Sequence, residues 1–164
     1  MSVKTTTMAG ILFFLLFCGC NSIPSKVTDV AVTKTQKLVK TFPFVLQSCS
    51  IQGANFSAVF STQAQELLSS CMKDRGLAVV TKGKEILPAF TYYIDLKIYE
   101  FDYINNLTQY YATHIVLIVK DDFDNVLVTI NCVSDAELSA GNARYLYSLL
   151  KDCVRELYNT LTER

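Results

Sequence analysis

The chain has 164 residues, 51% of them hydrophobic, with 15 Lys+Arg balanced by 15 Asp+Glu. A charged fraction of 18% with 12% aromatics excludes wholesale disorder, because such a composition can bury a core. Zero net charge without a basic block argues against nucleic acid as a partner, and the lack of a long unbroken apolar run argues against an ordinary transmembrane helix.

In chain order, the first informative stretch is MSVKTTTMAGILFFLLFCGCN, where Lys4 precedes an apolar run from Met8 to Gly19. A helix of that length would span about 18 Å, short of a hydrocarbon core of roughly 30 Å, so the run fits a secretory h-region. It ends in Phe17-Cys18-Gly19-Cys20, which resembles the lipobox of bacterial lipoproteins. In that motif a small residue, here Gly19, directly precedes the cysteine that is lipidated and becomes the new N-terminus, here Cys20. Phe17 stands where leucine is usual, and its bulk makes Cys18 the poorer acceptor. The resemblance implies a signal peptide over 1–19 and a membrane anchor through lipid on Cys20. With Asn21 next, it also implies outer-membrane sorting, facing the periplasm. Residues 20–40 carry Lys26, Lys34, Lys37 and Lys40 against Asp29 and contain no aromatic residue. They are read as the main part of a solvated, lipidated tether over 20–42.

The folded domain is expected over 43–164. Phe44 to Ile51 reads as a strand. Thr62 with Gln65 reads as a capping box that opens a helix with an apolar stripe at Ala64, Leu67, Leu68, Cys71 and Met72. Gly76 closes that helix, and a strand from Leu77 to Thr81 follows. Beyond a loop ending near Pro88, strict alternation places Phe90, Tyr92, Ile94, Leu96 and Ile98 on one strand face, and Tyr93, Asp95, Lys97 and Tyr99 on the other. Asn105-Asn106 marks a turn into the strand Tyr110 to Lys120, which is apolar on both faces, as a central strand should be. The turn 121–125 leads to a strand from Val126 to Val133, with Val126, Val128, Ile130 and Cys132 on one face. A helix from about Asn142 to Leu161 is expected to bury Leu146, Leu149, Leu150, Cys153, Val154, Leu157 and Leu161. The order β-α-β-β-β-β-α predicts an α+β fold, a mixed, largely antiparallel sheet with a three-stranded meander and both helices packed on one face.

The helix ending in KDRG, the segment VLIVKDDFDNVLVTINC and the terminal helix together resemble a group of small Gram-negative lipoproteins. Similar domains occur in the curli-secretion lipoprotein, in activator lipoproteins of peptidoglycan synthases and in auxiliary lipoproteins of lipid transporters. The resemblance covers about 43–162 and implies a fold and a compartment, with no functional residue carried across beyond the lipidated cysteine.

Chemistry is sparse. Cys49, Cys71, Cys132 and Cys153 have no CxxC spacing, and His114 is the sole histidine, so neither a zinc site nor another cofactor is expected. In an oxidising periplasm these four thiols are disulfide candidates. Three pairings exist: side-by-side helices would favour Cys71–Cys153, with Cys49–Cys71 the local rival. His114 has no nucleophile or carboxylate context and reads as a sheet residue with a satisfied ring. Asp121, Asp122, Asp124 and Asn125 read as a hairpin turn rather than a calcium loop, lacking the Gly and distal Glu of an EF-hand. Tyrosines cluster around the long hairpin, and Tyr93, Tyr99 and Phe101 fall on its solvent face, a candidate partner surface. These readings point to a non-enzymatic binding or accessory lipoprotein of the cell envelope with an envelope protein as partner. The alternative is an auxiliary subunit of an outer-membrane lipid or polysaccharide transport or secretion assembly.

Overall fold

The computed structural model describes residues 27–35, 38–53, 56, 59–80 and 89–162. The expected signal peptide over 1–19, Cys20 with Asn21, and the loop from Lys82 to Pro88 lie outside the described residues. In chain order the elements are β1 (Val27–Lys34), β2 (Leu38–Val39), β3 (Phe44–Gln52), α1 (Phe60–Asp74), β4 (Val79–Val80), β5 (Tyr92–Asn105), β6 (Thr108–Lys120), β7 (Val126–Ala136), α2 (Ala143–Thr160) and β8 (Leu161–Thr162). Six strands form one sheet in the order β1-β7-β6-β5-β3-β4, while β2 and β8 pair separately in parallel. β5, β6 and β7 make the antiparallel meander, β1 joins β7 antiparallel, and β3 lies parallel to β5 and β4. The α+β architecture with a mixed, mostly antiparallel sheet is therefore the one expected.

Alternation builds the core. Ile94, Leu96 and Ile98 of β5, Ile115, Leu117 and Val119 of β6, and Val128, Ile130 and Cys132 of β7 lie in register and are almost fully buried. Ala64, Leu68 and Met72 of α1 and Leu146, Leu149, Leu150, Val154 and Leu157 of α2 belong to the same buried cluster. Each large apolar side chain buried this way contributes about 2 kcal/mol. Asn142 caps α2, its Oδ1 accepting from the N–H groups of Arg144 (3.1 Å) and Tyr145 (3.2 Å). Gly76, with φ 72°, supplies the left-handed residue after α1, and its N–H reaches the Lys73 carbonyl at 2.8 Å.

Four local expectations are corrected. The segment assigned to the tether contributes β1, which pairs with β7 over residues 27–34 and extends the domain toward the N-terminus. A bulge between Val27 and Asp29 breaks the alternation that would have announced a strand. Helix α1 begins at Phe60 with Val59 as its N-cap and no side-chain cap bond, so Thr62 and Gln65 sit inside the helix. Burial of Phe60, stacked on Phe56 at 4.5 Å, draws the helix start back. Phe90 precedes β5 and is 65% exposed, with its ring on Phe42 at 5.3 Å. Val126 is exposed too, because a register shift at Val119/Lys120 turns the start of β7 outward.

The covered part of the sheet ends at a charge. Glu100 is only 4% exposed. Its carboxylate accepts from the Ala140 N–H, from Ser139 Oγ at 2.7 Å and from Thr113 Oγ1 at 3.3 Å. Nearby, the hydroxyls of Ser134 and Tyr145 share a hydrogen bond of 2.6 Å. Together these bonds fix where the connection from β7 enters α2. Glu100→Ala leaves the Ala140 N–H and two hydroxyls without an acceptor and is expected to lower the urea-unfolding free energy by about 3 kcal/mol. Glu100→Gln, which keeps one acceptor oxygen, is expected to lose less in the same measurement.

Candidate functional site

Among the described residues, no helix packs on the second face of the sheet. Alternation along β5 delivers Tyr93, Asp95, Lys97, Tyr99, Phe101 and Tyr103 to it, opposite Lys120, Ile118, Val116, His114, Ala112 and Tyr110 of β6. β7 adds Thr129, Asn131, Val133 and Asp135. Val116 and Ile118 are half-buried on this face, whereas Leu117 and Val119 on the other are fully buried. β6 is thus central in its hydrogen bonding while its second face stays partly open to solvent.

One end of this face is charged. Lys120 Nζ lies 2.8 Å from Asp95 Oδ2 and 2.8 Å from Asp124 Oδ1, while Ser48 Oγ donates to Asp95 Oδ1. Burial works against the charge of Asp95, but the hydrogen bonds from Lys120 and Ser48 overcome it and hold the carboxyl below its ordinary range. Lys120 is held above its ordinary range, first by the bond to Asp124 and then by that to Asp95. In the adjoining turn Asp121 accepts from the Phe123 and Asn125 N–H groups and from Asn125 Nδ2, each at 2.9 Å. Those bonds explain the turn without a cation. A shallow hollow of about 360 Å³ lies here between Gln47, Tyr93 and the aspartates of the turn.

The other end is aromatic. Tyr99 meets His114 with ring centroids 5.9 Å apart, and His114 Nε2 lies 3.2 Å from Asn131 Oδ1, so the ring has its sheet partner. Tyr103 stacks on Tyr110 at 5.7 Å and donates to Asp135 Oδ2 at 2.6 Å, a bond that raises the phenol's pKa. Phe101 between them is 69% exposed. Beyond it the β5–β6 hairpin projects past the end of β7, with Ile104 75% and Leu107 100% exposed. The turn itself places Asn106 at φ 48° and Leu107 at φ 68°.

The three expected contact residues share this face, but not one spot. Tyr99 and Phe101 sit at the aromatic end, whereas half-buried Tyr93 pairs with Lys120 at the charged end. Six strand residues, about 20 Å, separate Tyr93 from Tyr99. Tyr103 and Tyr110, which the sequence placed in a tyrosine cluster around the hairpin (Tyr92, Tyr93, Tyr99, Tyr103, Tyr110 and Tyr111) but not in the contact patch, complete the aromatic end together with His114. Extending the parity of Tyr99 along β5, and reading β6 back from the Asn105-Asn106 turn, would have placed them there.

All four described cysteines are free thiols, with Cys49 half-buried and the others buried. Cys71 Sγ faces the Tyr147 carbonyl at 3.8 Å. Cys153 of α2 neighbours Cys132 of β7 in the core, and that thiol together with deep burial holds its pKa well above the usual thiol range. Burial lifts both Cys49 and Cys71 to about 11, so none of these three is an activated nucleophile. No group of three or more His, Cys, Asp or Glu able to hold a metal occurs among the described residues. A second hollow of about 620 Å³ between α1 and β3 is lined by Gln47, Gln65, Glu66, Ser69 and Lys73, without a histidine to act as base. What the open face can do chemically is stack and hydrogen-bond a partner surface.

The low pKa of Asp95 has a stability consequence. A carboxyl depressed in the folded state stabilises fully above its unfolded value near 4, and that stability is lost as pH falls through the folded value. The urea midpoint should therefore drop below about pH 4, and Asp95→Asn should flatten that part of the pH profile relative to the parent chain.

No family model and no curated protein matches the chain. Solved structures with a similar fold include the PelC dodecamer from Paraburkholderia phytofirmans, 14% identical with a TM-score of 0.56, covering 82% of this chain and 98% of that one. A point variant of the same dodecamer in another crystal form gives 14% and 0.56, over 79% of this chain and 95% of that one. A neuraminyllactose-binding hemagglutinin homolog from Helicobacter pylori is 10% identical with a TM-score of 0.48, covering 79% and 88%. At these identities the likeness to PelC is one of fold.

Proposed function

We propose that the chain is a lipid-anchored, non-enzymatic accessory protein of the cell envelope that works by surface contact through its open sheet face. The observation that carries the reading is that face itself. Among the described residues one side of a well-packed sheet is left without a helical layer, and it ends in exposed Phe101 with half-buried Tyr99 and Tyr110. Aromatic groups on an uncovered surface are the usual anchors of protein contacts. The lipobox-like segment ending at Cys20 supports membrane attachment, and among the described residues no helix is long and apolar enough to cross a membrane.

A second reading, a subunit of an outer-membrane transport or secretion assembly, is favoured by the fold likeness to a protein solved as a dodecamer. Protein extracted from membranes should then sediment as a discrete oligomer, whereas the first reading expects a monomer that forms a complex with a different protein.

The test of the anchor is the intact mass of membrane-extracted protein, expected to begin at Cys20 with acyl mass added; a chain still carrying Met1 would remove that reading. For the contact surface, a photo-crosslinking residue at Phe101 should give discrete adducts in intact cells. One at exposed Arg155, on the outer side of α2, should give none. Tyr99→Ala should reduce the Phe101 adducts at least several-fold without lowering the unfolding midpoint by more than a few tenths of a molar in urea.

The same compartment reading selects a thiol pair. Cys132 and Cys153 are both buried in the same core and influence one another electrostatically, so in an oxidising periplasm they, rather than Cys71 and Cys153, are the pair proposed to close as a disulfide. Trypsin would release this bridge as peptide 121–144 joined to peptide 152–155, while Cys49 and Cys71 share peptide 41–73. Alkylation of all four thiols in protein isolated from the envelope without reductant would refute the pairing.

A further inference from the structure

The tip of the β5–β6 hairpin is at odds with the rest of the surface. Asn106 and Leu107 both have positive φ, the conformation of a two-residue turn that favours Asn or Asp followed by Gly. Leucine is strained there, and this one is also 100% exposed, so no packing among the described residues compensates for either cost. Ile104, 75% exposed, stands beside it. From Tyr103 to Tyr110 the sequence YINNLTQY holds no charge, and its two ends are tyrosines. The acidic groups Asp102 and Asp135 lie behind that pair. An uncharged tip that presents two exposed aliphatic side chains, a collar of tyrosine and charge only behind the collar is the order in which groups are met on entering a bilayer through its headgroups.

The register says which end of the sheet the N-terminal segment meets. Val27 pairs with Ser134, Ser134 with Thr113, and Thr113 with Glu100. The chain therefore joins the sheet at the hairpin end, level with the residue where the helical cover stops. The tip lies six residues beyond Glu100, about 20 Å along the strand. Between Cys20 and Val27 there are seven residue steps, which can reach at most about 25 Å. A lipid on Cys20 would thus hold the sheet at a distance from the bilayer comparable with the length of the hairpin.

We propose that the β5–β6 hairpin tip, Ile104 and Leu107, inserts into the lipid surface to which the chain is anchored. The proposal rests on the lipid-anchor reading of Cys20. The hairpin is then a second attachment point that fixes the orientation of the domain, with the strands steep to the membrane and the open face looking sideways. A single lipid anchor alone would leave the domain free to tumble.

The chain contains no tryptophan, so Leu107→Trp introduces a sole indole fluorophore. The variant, purified from membranes with its own lipid, is reconstituted into phosphatidylcholine vesicles with plain or dibrominated acyl chains, and its intact mass is read from the same sample. Bromolipid should quench Trp emission at least two-fold and leave a Phe123→Trp control unchanged, since Phe123 is 85% exposed in the β6–β7 turn at the far end of the sheet. Unquenched Leu107→Trp in protein carrying the acyl mass overturns the proposal while sparing the anchor. Protein without acyl mass removes the anchor reading and the proposal with it. As a check independent of tryptophan, Leu107→Gly should raise the urea midpoint of the protein, because it relieves the turn. A lowered midpoint would mean the leucine serves the fold itself, and would overturn the proposal.

Discussion

The arrangement of this protein depends on one buried carboxylate. Glu100 sits where β5 passes from beneath the helices into the projecting hairpin, and its oxygens hold the backbone and side chain of the segment that starts α2. An ionised group is tolerated in such a place only when its acceptor sites are filled, and here an N–H and two hydroxyls fill them. The consequence is a boundary. On one side of Glu100 lie Ile94, Leu96 and Ile98, all fully buried; on the other, residues 101–107 are all exposed. A domain with an apolar residue at position 100 would have had reason to draw the helix layer, or the hairpin, across that line. The carboxylate makes the two halves of one long strand serve different purposes.

The meander and both helices were legible because their patterns are long and their burial is one-sided. The alternation from Tyr92 to Ile98 and the stripe from Leu146 to Leu157 each have one physical explanation. β1 was not legible: short, free of aromatics, charged at Asp29 and Lys34 and interrupted by a bulge, it looks like linker until β7 is there to pair with it. The capping pattern at Thr62 and Gln65 misled for a related reason. A local polar signal worth about 1 kcal/mol yields to burying Phe60 against Phe56. The open face was half legible: parity along β5 places Tyr93, Tyr99 and Phe101 together, but parity says nothing about distance along the strand. Only the pairing of β5 with β6 separates the charged end at Lys120 from the aromatic end at His114 and Tyr110. The closeness of Cys132 to Cys153 in the core was hidden in the same way, since it depends on how α2 crosses β7.

The two ends of the open face suit different tasks. At Asp95, Lys120 and Asp124 one ammonium is shared between two carboxylates in a tight network, so this end keeps a net negative charge. At Tyr99, Phe101 and Tyr103 the rings are partly exposed, with Tyr103 held only through its hydroxyl, so they offer flat apolar area at small entropic cost. Recognition through the aromatic end would be insensitive to salt, whereas contact through the charged end would weaken with it.

The direction in which β1 enters the sheet has a mechanical meaning. A pull on the N-terminal segment acts at Val27, along the strand and away from its body, while β7 runs antiparallel beside it. The ladder bonds lie across that line, so they are loaded together, in shear, and must yield as a group. Had the chain entered at the Lys34 end, the same pull would have folded the strand back on itself and opened the pairs one at a time, like a zip. A second grip stands at the far end, where Lys34 Nζ donates to the Thr160 carbonyl at 2.8 Å and Thr35 N–H to the Leu127 carbonyl at 2.9 Å. The strand by which the domain would be tethered is thus an edge strand, but it is set in the orientation that best resists being drawn out.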